Sequence, residues 1–449
     1  MKAHSREAPR HSSGSAGDPY LPTSGNGGYR VSRYELDLTY RMSTNLLYGR
    51  ARLLAEVTAP LSQFSLDLAG LRVAKVAVNG RRAPRFATRG RKLHIWLDRL
   101  LPAGVTMTVD VQYSGNPRPV RGLWGEVGWE ELRDGVLVAG QPNGAPSWFP
   151  CNDHPSNKAA YRITVTTDSP YRVVANGRLV AQTVGGSQTT WEYDQPEPMA
   201  TYLATVQIGQ YELIDVAKKP VPQRAAVPHR RRKRFVDRFS RQPAMISAFE
   251  KTFGPFPFSQ YTVVITDDDL EIPLEAQGVS IFGANSLDDD GAERLIAHEL
   301  AHQWFGNSLT LRSWQHIWLN EGFACYAEWL WSEQSGGPSA DRLAARHRAR
   351  LADLPQDLVI ADPGPQSMFD DRLYKRGALT LHAVRRTVGD DAFFELLRRW
   401  ATTHRYGTVT TDQFLAHAQD YAATSLRPLF TEWLFEAVLP RLPAGRSRP

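Results

Sequence analysis

The run Ala297-His298-Glu299-Leu300-Ala301-His302-Gln303-Trp304 decides how the second half of this chain must be built. Helical winding puts residues four apart on one face, so His298 and His302 can turn both imidazoles toward one metal ion while Glu299 reaches a water held there. Beyond an eighteen-residue gap after His302, the run Trp318-Leu319-Asn320-Glu321-Gly322-Phe323 offers Glu321 on a second helix. Two imidazoles and a carboxylate leave the fourth position of a zinc ion open, the pattern of a catalytic rather than a structural site. The chemistry that fits is hydrolysis of an amide or ester, with Glu299 taking a proton from water and passing it to the leaving atom. A donor for the developing oxyanion is also needed, and sixteen tyrosines leave that choice open from the residues alone.

Outward from this stretch, 449 residues exceed what one hydrophobic core usually supports, which predicts two domains. Hydrophobic residues at 42% and charged residues at 22% are ordinary for a globular chain. A net charge of +6 is mild at this length, and its densest run, His229-Arg230-Arg231-Arg232-Lys233-Arg234, lacks interleaved aromatics and a reading motif. It reads as a solvated loop or first helical turn, so no nucleic-acid partner is expected. Two cysteines, Cys151 and Cys325, make no disulfide framework. No apolar run is long enough for a membrane span, and the Ser-, Gly-, His- and Arg-rich start has no apolar signal core. The expectation is a cytoplasmic protein of undetermined oligomeric state, with residues 1–28 a disordered tail.

Residues 29–212 carry short alternating runs such as Tyr34-Glu35-Leu36-Asp37-Leu38-Thr39-Tyr40, with turn signals at Asn79-Gly80 and Asn176-Gly177. Period-two patterning of this kind predicts an antiparallel β domain. Residues 141–155, with four prolines and two large aromatics, break the pattern and read as an ordered irregular loop. Residues 213–449 change texture: strand candidates at Tyr261-Thr262-Val263-Val264-Ile265-Thr266 and Val279-Ser280-Ile281-Phe282 lead into the His298 helix, and mostly helix follows. Asp288-Asp289-Asp290 are expected to cap that helix, Gly306 to close it, and Thr410 with Gln413 to form a capping box before a later one.

The His298 and Glu321 runs resemble the gluzincin aminopeptidases, the family of aminopeptidase N and leukotriene hydrolase. The likeness extends to Asp18-Pro19-Tyr20, Gly25-Asn26, Pro150-Cys151-Asn152-Asp153, Lys158-Ala159 and Tyr374-Lys375-Arg376-Gly377-Ala378, in the family's order. It implies an α+β multidomain chain, an N-terminal antiparallel β-sandwich-like domain followed by a thermolysin-like catalytic domain with a mostly helical C-terminal part. The large C-terminal helical domain of longer relatives is expected to be absent. The resemblance further implies one zinc ion on His298, His302 and Glu321, with Glu299 and Tyr374 catalytic. Gln141, supplied across the domain boundary, and Glu275 would hold the free α-amino group of a peptide substrate. Asn320 and Glu328 are expected to orient the ligands. The alternatives are another zinc hydrolase, an endopeptidase or epoxide hydrolase, or a catalytically weak binding protein that keeps the zinc site. Three departures accompany the likeness. Ile272-Pro273-Leu274-Glu275-Ala276 stands where the family has Gly-x-Met-Glu-Asn, Pro146 stands where many relatives have arginine, and the chain is short. Pro273 has no N–H to offer a substrate main chain, and Ile272 adds bulk.

Overall fold

In a computed structural model, which describes residues 14–289 and 291–444, the chain divides into two compact units between Ile208 and Gly209. The sequence reading drew this division after residue 212.

The first unit is built from β-strands. An eight-stranded sheet runs in the order Arg178–Gly185, Gln188–Met199, Ala159–Asp168, Tyr29–Arg41, Leu46–Val57, Thr106–Gly115, Arg72–Val78, Arg81–Arg82, and sheets of five and three strands accompany it. Leu46–Val57 shows why: from Leu47 to Val57 buried and exposed residues strictly alternate, so one face carries Leu47, Ala51, Leu53, Ala55 and Val57 into the core. Fully burying side chains such as Leu53, Val111 or Ile163 stabilises the fold by about 1.5–3 kcal/mol each. Asn79 and Gly80, at φ of 52° and 75°, make the tight turn between Val78 and Arg81.

Two features of this unit depart from expectation. Tyr29–Arg41 pairs with Ala159–Asp168 in parallel, a pairing across more than a hundred residues that local alternation cannot reveal. Residues 14–28 are also not a free tail. Asp18 accepts the backbone N–H groups of Tyr20 and Leu21 at 2.8 and 3.1 Å, and Asn26 donates its backbone N–H to Asn152 at 2.7 Å. Composition alone missed this because the partner of Asn26 lies far along the chain; residues 1–13 of the expected tail lie outside the described residues. The irregular segment after Gln141 is fully packed. Trp148 and Phe149 lie 4.4 Å apart by ring centroids, and Phe149 meets Tyr34 edge-on at 5.5 Å.

The second unit holds a mixed five-stranded sheet in the order Tyr211–Ala217, Gln223–Pro228, Tyr261–Ile265, Val279–Phe282, Leu274–Ala276. Its middle pairings are parallel, and Leu274–Ala276 forms an antiparallel edge. The helices are α1 (Arg232–Arg238), α2 (Gln242–Phe253), α3 (Ala292–Ala301), α4 (Trp318–Gln334), α5 (Ala340–Ala352), α6 (Asp371–Val388), α7 (Asp390–Thr403) and α8 (Thr411–Gln419). Among the described residues none is long and apolar enough to cross a membrane. The basic run leading into α1 is spent locally: Arg230 and Arg231 pair with Asp267, Arg232 with Glu212, and Arg234 with Asp288. Such exposed pairs add little stability, but they neutralise the run.

Two helix ends differ from the reading. Gly291, not an aspartate, occupies the N-cap of α3, while Asp289 accepts the Gly291 N–H at 2.8 Å and Asp288 is held by Arg234; Asp290 lies outside the described residues. At the other end α3 stops at Ala301, and successive turns carry the chain to Gly306 at φ 121°. The capping box of Thr410 and Gln413 opens α8 as expected.

One contact sets the frame of the site. A Cβ added to Gly322 on α4 would fall 2.9 Å from the Cα of Gly377 on α6, and the reverse holds for Gly377. The two helices therefore touch backbone to backbone, beside Glu321 on one and one turn past Tyr374 on the other.

Candidate metal centre and active site

His298 on the last turn of α3 and His302 just past it bring their rings to 4.8 Å between centroids. Glu321 projects from the first turn of α4, and its Oε2 lies 3.4 Å from Nε2 of both histidines. All three side chains are buried, and one donor atom from each lies within 4.8 Å of the others. The opposite ring nitrogens are engaged elsewhere. His298 Nδ1 pairs with Glu328 Oε1 at 2.8 Å, and His302 Nδ1 with the Phe305 carbonyl at 3.0 Å. Each ring is thereby fixed with Nε2 toward Glu321. Two imidazoles and one carboxylate, oriented in this way and buried, fit a zinc ion with one position left for water or substrate.

The electrostatics agree. Without a metal, burial pushes Glu321 up, yet the charges and hydrogen bonds of His302 and His298 hold it down at about 2. Burial depresses both imidazoles, but Glu321 and Glu328 raise His298 to about 9, and Glu321 with Glu275 raises His302 to about 10. The pocket thus collects positive charge where a dication would sit. Glu299, between the two histidines, is pushed up to about 7, chiefly by burial, and its Oε2 has no hydrogen-bond partner. Glu275, half-buried on the edge strand, is also raised by burial, and its Oε1 is likewise unpartnered. Glu275, Glu299 and His302 each place one donor atom within 4.8 Å of the others. The Tyr374 ring lies 6.1 Å from His298, nearly parallel to it. Burial and the carboxylates Glu321, Glu275 and Glu299 push its phenol well above the usual range, so it stays a donor.

Six of the seven predicted residues therefore converge in the second unit. Gln141, the seventh, follows the strand Gly135–Ala139 of the first unit, and its side-chain Nε2 is buried without a partner. Asn320 packs with His302 around Gly306, where an added Cβ would meet His302 Nδ1 at 3.2 Å and the Asn320 amide at 3.4 Å. Ile272 is exposed, and Pro273 precedes the edge strand, so its missing donor lies outside that ladder.

Sequence reasoning missed three positioning residues. Gln303 accepts from the Gly278 N–H at 2.8 Å and donates to the Ala276 carbonyl at 3.2 Å, and Asn307 donates to the same carbonyl at 3.0 Å. Together they fasten the His302 turn to the strand bearing Glu275. Arg294 donates to both oxygens of Glu328 at 3.1 Å, steadying the acceptor of His298. The available signals were polar residues inside an apolar run, and an arginine four residues before His298 on the same helix face.

The comparisons with known proteins bear on the whole chain. Residues 31–203 match the peptidase M1 N-terminal domain, and residues 238–433 match the peptidase family M1 domain. The M1 zinc metallopeptidase from Deinococcus radiodurans superposes with a TM-score of 0.86 at 30% identity, over 96% of this chain and 100% of that one. The chain belongs to peptidase family M1. A variant of the same metallopeptidase bound to a Tyr-Ser-Ala substrate matches as well, with a TM-score of 0.86 and 30% identity over 96% and 99% of the two chains. Among curated M1 relatives, the leucyl aminopeptidase of Saccharolobus solfataricus is 25% identical over 438 residues, covering 90% of this chain and 53% of its own length. The chain spans about half the length of the curated relatives it matches.

Proposed function

We propose that this chain is a zinc-dependent aminopeptidase that hydrolyses the first peptide bond of peptides with a free N-terminus. The observation that carries the reading is the buried convergence of His298, His302 and Glu321, flanked by the unpartnered carboxylate oxygens of Glu299 and Glu275. One zinc ion held by the three ligands would polarise the scissile carbonyl and make water acidic enough to attack near neutral pH.

The protein's own groups do the rest. Glu299, poised near neutrality and free at one oxygen, accepts the proton of the attacking water and returns it to the leaving nitrogen. Tyr374 remains protonated and donates to the developing oxyanion. Glu275 receives the substrate's α-ammonium, whose charge favours the carboxylate form that burial disfavours. The family resemblance assigns Gln141 to the same anchor, and its buried side-chain Nε2 has no partner. A peptide interior has no ammonium to offer, so this anchor restricts cleavage to the first residue. A cytoplasmic setting belongs to the same proposal and rests on two buried, unpaired cysteines.

The test is a panel of aminoacyl arylamides with the zinc-loaded protein, with and without chelator. Release of the arylamine that chelation abolishes is expected. Equal turnover of N-acetylated and free peptides would sink the exopeptidase reading. Glu275→Ala should cripple arylamide release, and an internal-cleavage activity untouched by it would point to an endopeptidase instead.

A further inference from the structure

After α8 the chain makes one short helix, Arg427–Phe430, and a π-helical turn, Thr431–Phe435, and then continues without regular structure. The last carbonyls of a helix have no partners within it, and here one side chain collects them. Arg376, buried on α6, donates from Nε to the Trp433 carbonyl at 2.9 Å and from Nη2 to those of Glu432 at 2.9 Å and Val438 at 3.2 Å. It also donates to the carbonyls of Glu436 and Ala437. All five acceptors are main chain and lie 56 to 62 positions further on. Burial, opposed by Glu436, lowers the guanidinium to about 10, so it stays charged near neutral pH. A planar fork of five donors suits such a cradle better than the three of an ammonium.

The same segment is tied down elsewhere. The Leu434 carbonyl accepts the Ala361 N–H at 2.9 Å, the Leu439 N–H donates to Gln356 Oε1 at 2.9 Å, and Arg348 on α5 donates to the Pro440 carbonyl at 2.7 Å. Residues 432–440 thus form a strap fixed to α5 and the chain after it, and Arg376 is where the strap grips α6.

Two residues along a helix is about 200° of winding, so Arg376 faces away from Tyr374. Gly377 returns to the tyrosine's side, where it meets Gly322 of α4. α6 is therefore held on opposite faces, bare main chain against α4 in front and the strap behind. The front contact limits how closely α6 can approach, and only a tether limits how far it can retreat. Tyr374 rides on this segment, its ring 6.1 Å from His298. A misplacement of about 1 Å in a group that meets the reacting atoms can cost about a hundredfold in rate.

We propose that Arg376 is a positioning residue for the reaction, drawing α6 onto α4 through the strap and so fixing the Tyr374 hydroxyl at the developing oxyanion. This role rests on the aminopeptidase reading, because Tyr374 is the group it serves.

The experiment is a double-mutant cycle on the zinc-loaded full chain, joining Arg376→Met and Arg376→Lys to Tyr374→Phe, with arylamide kinetics, metal analysis and amide hydrogen exchange. Arg376→Met should lower kcat by about tenfold or more with KM and zinc content unchanged, and Arg376→Lys, which keeps the charge but not the fork, by less. In the Tyr374→Phe background the same changes should lower the residual rate by less than about twofold. The α6 amides around Tyr374 should exchange about tenfold faster in both Arg376 variants. If Arg376→Met fails to fold, Arg376→Lys carries the cycle. An unchanged kcat, a loss confined to KM, an equal loss in both backgrounds, or unaltered α6 exchange would each overturn the assignment. An unsubstituted chain that released no arylamine would instead fault the aminopeptidase reading, while exchange would still report whether the strap holds α6.

Discussion

Each unit of the chain buries a cluster of charged and amide side chains, and the two clusters are finished differently. In the first unit Asp67 is saturated: Lys92 meets Oδ1 at 2.6 Å, while the Asn26 amide and the Asp153 N–H meet Oδ2 at 2.8 and 3.0 Å. In the second, Glu321 sits 3.4 Å from two imidazole nitrogens, too far for short ion-pair contacts, and two neighbouring carboxylates each keep an oxygen unpartnered. A closed cluster holds a fold together; an open one is held apart by its surroundings and waits for an ion or substrate to complete it. Asp153 is the exception in the closed cluster, with one oxygen unpartnered, but burial and Asp67 push it up to about 8, so near neutral pH it carries a proton rather than a charge.

The contrast can be broken most directly at Glu299. Glu299→Gln keeps size and burial but removes the proton acceptor, so turnover should fall by about a thousandfold with zinc content unchanged, read by arylamide kinetics beside metal analysis. A variant that keeps its rate would remove Glu299 from the chemistry.

At the closed cluster the loss should appear in stability. Lys92→Met strands a buried carboxylate, and denaturant unfolding should show a loss of about 3 kcal/mol at neutral pH. An unchanged midpoint would mean that Asn26 and Asp153 suffice for Asp67. Between these cases stands Glu328, closed itself yet serving the open site. Glu328→Gln should weaken zinc binding by about tenfold in competition with a chelator, because His298 loses the charge that orients it.

The smallest effect is a gradient with pH. Without metal, His298 and His302 stand at about 9 and 10, above their ordinary 6.5. Raised values of this sign favour the metal-free fold fully below about 6.5, and that support fades as pH climbs through 9 and 10. Zinc must displace those protons, so its affinity should rise with pH across the neutral range, with proton release on binding. Chelator competition at several pH values reads the slope, and a flat profile would contradict the assigned protonation.

What the residues disclosed in advance follows the same divide. The convergence of His298, His302 and Glu321 could be read because helix geometry converts four-residue spacing into a shared face, and the β unit because alternation is local. Gln303, Asn307 and Arg294 could not, since each is defined by a partner 25 to 34 positions away. The order in residues 14–28 and the parallel strand pair were hidden for the same reason: both depend on partners more than a hundred residues distant.

The bare crossing of α4 and α6 at Gly322 and Gly377 has one further consequence. With no side chain at the crossing, the spacing of the two helices that carry Glu321 and Tyr374 is machined in main chain and offers no rotamer through which it could drift. Residues lining the edge strand could be exchanged for new specificities without recalibrating it. Anyone grafting this chemistry onto another scaffold should therefore transplant the helix pair with its bare crossing, because a set of correctly chosen side chains would arrive without its ruler.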